Sequence, residues 1–222
     1  IGASVVSGGA VRLRAYAARG LSKGQVAMLI SFCSFTFGLG ALLLLGAALA
    51  WDPTLAAPLT ERLPAGWASP AGIRLLAFGM LALCALYVGA AFLGLRPLRM
   101  GRFQLHYPRP GIVLQQIVAG PLELVAAAAI IYFALPAEGN PGFATVLGAF
   151  LIAFCVSLLS QVPGGVGVME VVFIALMPDV PAMGVVAAML VWRLFYLLLP
   201  LLASAPIILG FEAMQWLRPR AA

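Results

Sequence analysis

Charge is the scarcest thing in this sequence. Only 9% of its 222 residues are Asp, Glu, Lys or Arg, and 64% are hydrophobic. A soluble domain carries about 25% charged residues. The shortage excludes a water-soluble globule and makes lipid the folding solvent. The alternating segments of about ten residues that mark a membrane β-barrel are missing too. The fold class is therefore all-α: a polytopic helical membrane bundle, read as a single membrane domain over residues 1–222.

Other absences remove whole classes of chemistry. Histidine occurs once, as His106, in a basic loop with no Cys, Asp or Glu near it in sequence. Cys33, Cys84 and Cys155 stand alone in apolar runs and read as small buried hydrophobes rather than as a disulfide or metal set. There is no Gly-x-x-x-x-Gly-Lys loop, Gly-x-Ser-x-Gly elbow, His-Glu-x-x-His or Cys-x-x-Cys. No metal, cofactor or covalent catalysis is expected of this chain. The initiator methionine is missing and no secretory leader is visible. The sequence reads as a piece of a longer membrane chain.

What is present is a series of apolar runs. The spans are expected at about Gly24–Trp51, Ala71–Leu95, Gly111–Leu135 and Phe143–Ser160. Then comes a run of only twelve residues, Val166–Met177, and a final one of thirty-five, Ala182–Trp216, that contains Pro200 and Pro206. Twelve residues make a helix of about 18 Å, short of the roughly 30 Å hydrocarbon core. Thirty-five would make about 52 Å, too long unless kinked. Both prolines remove a backbone donor, so the last helix is expected to break there. About six membrane segments result, one of them a half-helix.

Lys and Arg set the orientation. Residues 12–23 hold four basic residues and no acid, and so do residues 96–110; Arg218 and Arg220 follow in the tail. Residues 52–70, 136–142 and 178–181 hold Asp52, Glu61, Glu138 and Asp179 against Arg62 alone. If Val166–Met177 counts as a crossing, all three basic segments share one side, taken as cytoplasmic. The net charge of +6 then reflects this bias and an attraction for anionic headgroups, not nucleic acid.

The most unusual stretch is Ser160-Gln161-Val162-Pro163-Gly164-Gly165-Val166-Gly167-Val168-Met169-Glu170. It breaks a helix with Pro163, follows with glycines, and returns a carboxylate to apolar sequence. The helix that starts there points a positive dipole end into the break, which suits a phosphate. Glu170, one turn in, suits an ammonium, while Phe173, Ile174 and Met177 on its face suit acyl chains or core. Arg193 and Glu123 are the other charges left at depth, where each costs about 2.5–3.5 kcal/mol without a partner or cavity. Glu170 and Arg193 could instead simply tie two helices together. Gln116, Gly120 and Glu123 make a polar stripe that either lines a cavity or bonds a neighbouring helix. The candidate headgroup-binding residues are Glu170, Arg193, Glu123, Arg12, Gly164 and Gly165, with Pro163 and Pro200 as structural breaks.

These residues resemble a known family. Ser160-x-x-Pro163-Gly164-Gly165-Val166-Gly167-x-x-Glu170 is similar to the signature of the lysylphosphatidylglycerol synthase transmembrane region, the membrane part of the bacterial multiple peptide resistance factor and of related membrane proteins. Ser7-Gly8-Gly9-x-x-Arg12-x-Arg14 with Tyr16 and Gly20-Leu21-Ser22, and Trp192-Arg193-x-x-Tyr196 with Pro200, are similar to other segments of it. The resemblance implies a multi-pass protein of the bacterial inner membrane. It would move lysyl-phosphatidylglycerol or a similar aminoacylated phospholipid from inner to outer leaflet, which gives resistance to cationic antimicrobial peptides. Its partners would be such anionic or aminoacylated lipids, with a homo-oligomer possible. The family's first spans and its soluble transferase domain have no counterpart in these residues. A membrane part of a phosphatidylglycerol lysyltransferase, presenting lipid to a cytosolic domain, and a small-solute or ion transporter are the competing readings.

Overall fold

The computed structural model describes residues 16, 20–56, 69–94, 98–100, 103–105, 108–160, 162 and 165–217. Its helices are α1 (Lys23–Trp51), α2 (Pro70–Phe92), α3 (Pro110–Ala134), α4 (Phe143–Ser160), α5 (Val168–Leu176), α6 (Ala182–Arg193) and α7 (Leu199–Leu217). A π-helical turn, Leu194–Leu198, joins α6 to α7. Five stretches are long and apolar enough to cross a membrane: α1, α2, α3, α4 and Ala182–Pro206. The chain is a multi-pass helical membrane protein, and the expected spans lie within a few residues of the observed ones.

Local chemistry sets the helix starts. At Ser22 the hydroxyl accepts from the Gln25 amide at 3.3 Å, and the Gln25 side chain accepts from the Ser22 amide at 2.8 Å, a reciprocal capping box. Ser69 caps α2 through the Gly72 amide at 3.1 Å, with Pro70 in the first turn, where no donor is missed. Pro110 opens α3 in the same way. The basic loop before α3 contains a short antiparallel hairpin, Leu98–Met100 (β1) with Phe103–Leu105 (β2), which periodicity did not suggest.

α4 is the most enclosed span; Phe150, Leu151, Ala153 and Phe154 are buried within it. α1 crosses α3 backbone to backbone, because a Cβ on Gly40 would come within 2.6 Å of the Gly120 carbonyl carbon. Beside this crossing, buried Gln116 donates to Thr36 at 2.8 Å and accepts from Tyr87 at 2.7 Å, so one side chain joins three helices.

The acidic connections gather at one end. Leu55, in the turn after α1, packs on Gly148 in the first turns of α4. Gly139, after α3, lies against the carbonyl of Asp179, before α6. Pro136 lies against Gly184. Meanwhile Gly165 lies against Ser157, near the far end of α4. So α5 and its flanks carry the chain back to the end where α4 began, as the shared side of the basic segments requires. Lys23 and Arg109 stand at the starts of α1 and α3, at the opposite end.

The expected break in the last helix takes a particular form. The Leu199 amide bonds the Leu194 carbonyl, one residue further back than in an α-helix. The wide turn ends just before Pro200, whose ring would collide with an α-helical carbonyl at residue 196. The helix then continues to Leu217, with Pro206 inside it.

Candidate functional site

The site forms where the start of α5 meets the end of α6. Gly165 (φ +62°) and Gly167 (φ +83°) adopt backbone that a side chain would strain. This lets the chain turn sharply into α5, with Gly165 directly over Ser157; a Cβ on Gly165 would overlap the Ser157 hydroxyl. α5 therefore starts one short turn after buried Gly165, and Glu170 comes in its first turn with its side chain facing α6.

Glu170 is fully engaged. One carboxylate oxygen accepts from Arg193 Nη2 at 2.6 Å, the other from the Gly167 amide at 2.8 Å. The second contact means that Glu170 itself occupies part of the positive end of α5, where an anion was expected. Arg193 also reaches the Gly165 carbonyl at 3.5 Å. Its side chain is 14% exposed and that of Glu170 18%. A pair this enclosed tolerates poorly the loss of either member. In this structure the partner of Glu170 is Arg193.

Three buried polar atoms beside the pair have no partner among the described residues: Arg193 Nε, Ser157 Oγ and Trp192 Nε1. Such atoms are uncommon in native interiors and call for a ligand or water. Trp192 is 2% exposed, stacked on Tyr196 (5.2 Å, 15°) and edge-on to Phe150 (5.9 Å).

Glu123 behaves differently from Glu170. It lies midway along α3 and is exposed on the bundle surface. It accepts from the Tyr196 hydroxyl at 2.9 Å. Tyr196 lies in the π turn that follows Arg193 and stacks on Trp192, the residue before Arg193. The polar stripe on α3 thus divides: Gln116 bonds neighbouring helices, Gly120 is the close crossing, and Glu123 turns towards the last helix.

Of the sequence candidates, Glu170, Arg193 and Gly165 meet directly, while Glu123 bonds Tyr196, which stacks on Trp192 beside Arg193 in sequence. Pro200 follows the π turn that carries Tyr196. Arg12, Pro163 and Gly164 lie outside the described residues. Phe173 and Met177 are buried in the core, which settles their role as packing. Ser157 and Tyr196 are not site residues that the sequence alone points to. The only sequence signal for Tyr196 is its spacing from Arg193; for Ser157 there is none, because its contact with Gly165 depends on the fold. No His, Cys, Asp or Glu cluster suited to a metal occurs among the described residues.

No protein-family model matches the chain. Among curated proteins, it is 32% identical over 222 residues to slr0712 of Synechocystis sp., described as an uncharacterised protein. It is also 30% identical over 203 residues to the inner membrane protein YbhN of Escherichia coli. The two alignments take in 99% and 90% of this chain, and 67% and 61% of the lengths of those proteins.

Proposed function

We propose a lipid-headgroup site for this chain, which belongs to the membrane-protein family of Synechocystis slr0712. On this reading the protein moves a phospholipid with a cationic headgroup, of the lysyl-phosphatidylglycerol kind, from the inner to the outer leaflet. It works in the bacterial inner membrane, where its E. coli relative is named as residing.

The observation that carries this reading is the division of labour between two adjoining stretches of the last helix. At the end of α6 Arg193 keeps a buried Nε without a partner among the described residues, and in the π turn that follows Tyr196 holds an exposed carboxylate, Glu123. A headgroup with a phosphate and ammonium groups needs an anion binder and a cation binder side by side. Arg193 Nε takes the phosphate oxygen, and Glu123 takes an ammonium. The charge balance agrees. Among the described residues at membrane depth, Glu123 and Glu170 outnumber Arg193 by one negative charge, and lysyl-phosphatidylglycerol carries a net positive one. Unmodified phosphatidylglycerol, an anion, would worsen the imbalance.

The test is leaflet translocation in vesicles that contain the purified protein. Lysyl-, alanyl- and unmodified phosphatidylglycerol are offered separately. The expected order is lysyl fastest and unmodified slowest, with Arg193→Gln slowing all three. Equal rates for the three lipids would overturn headgroup recognition by these residues.

A further inference from the structure

We propose that Glu123 is a proton site and that the protein exchanges one proton for one cationic headgroup. The proposal rests on the headgroup reading above and goes beyond it to the source of the driving force.

The two carboxylates at depth differ in what they can accept. Both oxygens of Glu170 are taken by donors, one of them a guanidinium at 2.6 Å. A proton placed there would break the ion pair and leave Arg193 unmatched, so Glu170 has no free oxygen for an incoming cation. Glu123 has one oxygen on Tyr196, and among the described residues no cation is its partner. Among the described residues its ionised form is a charge without an ionic partner midway along a membrane span, an arrangement that is costly unless a cation arrives.

Among the described residues, the neighbours of α3 supply no such cation. On α1, Lys23 stands in the first turn and Cys33 is exposed. On α2, Arg74 is near the helix start, Cys84 is buried, and Tyr87 is committed to Gln116. On α4 there is Cys155, and on the last helix Arg193 is committed to Glu170. Among the described residues the hydrogen-bond partner of Glu123 is Tyr196. Its hydroxyl suits both states of the carboxyl: it donates to the carboxylate, and its oxygen can accept from the acid.

Two cations can therefore neutralise Glu123, and they exclude each other. In the empty site a proton from outer water forms an O–H bond on the free carboxylate oxygen. An ammonium arriving from the inner leaflet takes that position, and the proton leaves to inner water. The headgroup goes out and the proton comes in. No net charge crosses, so a pH difference alone drives the cycle.

The experiment uses the full chain in vesicles with lysyl-phosphatidylglycerol, voltage held at zero by potassium and valinomycin. An impermeant amine reagent counts lysyl headgroups in the outer leaflet. One-for-one exchange sets the leaflet ratio equal to the proton ratio, so a pH step of one unit shifts it about tenfold, towards the acidic side. Both protein orientations give the same end point. If the protein equilibrates the lipid but the ratio ignores the pH step, proton exchange is wrong and the headgroup reading stands. If no headgroup is moved, both fall. A Glu123→Gln protein whose ratio still follows the gradient would overturn the assignment to Glu123. Infrared difference spectra of the wild type give a second readout. A protonated-carboxyl band should vanish when lysyl lipid is added and be absent from Glu123→Gln. A band that persists with lipid would also overturn the proposal.

Discussion

Glu170 and Arg193, separated by 23 positions in sequence, meet at 2.6 Å and close the gap between the half-helix and the last helix. Each has less than one fifth of its side chain exposed, so the pair is mostly out of solvent.

Breaking the pair from one side leaves the other charge buried. Glu170→Gln and Arg193→Gln should each destabilise the fold by about 3 kcal/mol. Replacing both with apolar residues of similar volume, Glu170→Leu with Arg193→Met, should cost less than either single change. Unfolding of the purified protein in detergent measures all three, and a double variant as damaged as the sum of the singles would contradict the pairing.

Gly165 has a double reason to be glycine. A side chain there faces both a φ of +62° and the Ser157 hydroxyl. Gly165→Ala should lose about 1–3 kcal/mol. Adding Ser157→Ala should restore part of this, because the hydroxyl clash goes and the backbone strain remains. Full recovery would mean that the backbone angle carries no cost.

Gln116 is buried, and its amide serves Thr36 and Tyr87 at once. Gln116→Leu removes the acceptor of the Tyr87 hydroxyl, while the Thr36 hydroxyl keeps its bond to the Phe32 carbonyl. The expected cost is about 1 kcal/mol, within the range of polar contacts between membrane helices. Lysyl-lipid transport by the folded fraction should be unchanged, because this network lies apart from Arg193 and Glu123.

Tyr196 holds Glu123 in place at 2.9 Å. On the headgroup reading, Tyr196→Phe keeps the ring stacked on Trp192 and removes the hydroxyl. Lysyl-lipid binding should weaken about five- to tenfold, and binding of unmodified phosphatidylglycerol should change little. Equal weakening for both lipids would show that Tyr196 acts through packing alone.

The spans were legible because lipid tolerates few charges, so each crossing is an unbroken apolar run. The half-helix was legible because Pro163 and the glycines interrupt such a run, and the buried charges because Glu123, Glu170 and Arg193 are so few. The roles of the two glutamates were only half legible. Beside the glycines, Glu170 reads either as an ammonium partner or as a partner of Arg193, and the turn that those glycines permit brings its oxygens to Arg193 and the Gly167 amide. Glu123 and Tyr196 are 73 positions apart, and only the packing of α6 on α3 brings them together. The π turn was hidden for a similar reason. Pro200 signals that an α-helical bond is lost, but not that the ladder will widen one turn earlier to absorb the loss.

The contact of Gly139 with Asp179 has a mechanical side. It latches the connection before α4 to the turn after α5, so the α4–α5 hairpin is held at its acidic end. At the glycine end the tie is of another kind: the Glu170–Arg193 ion pair fastens the start of α5 to the end of α6, so the half-helix is anchored at both ends.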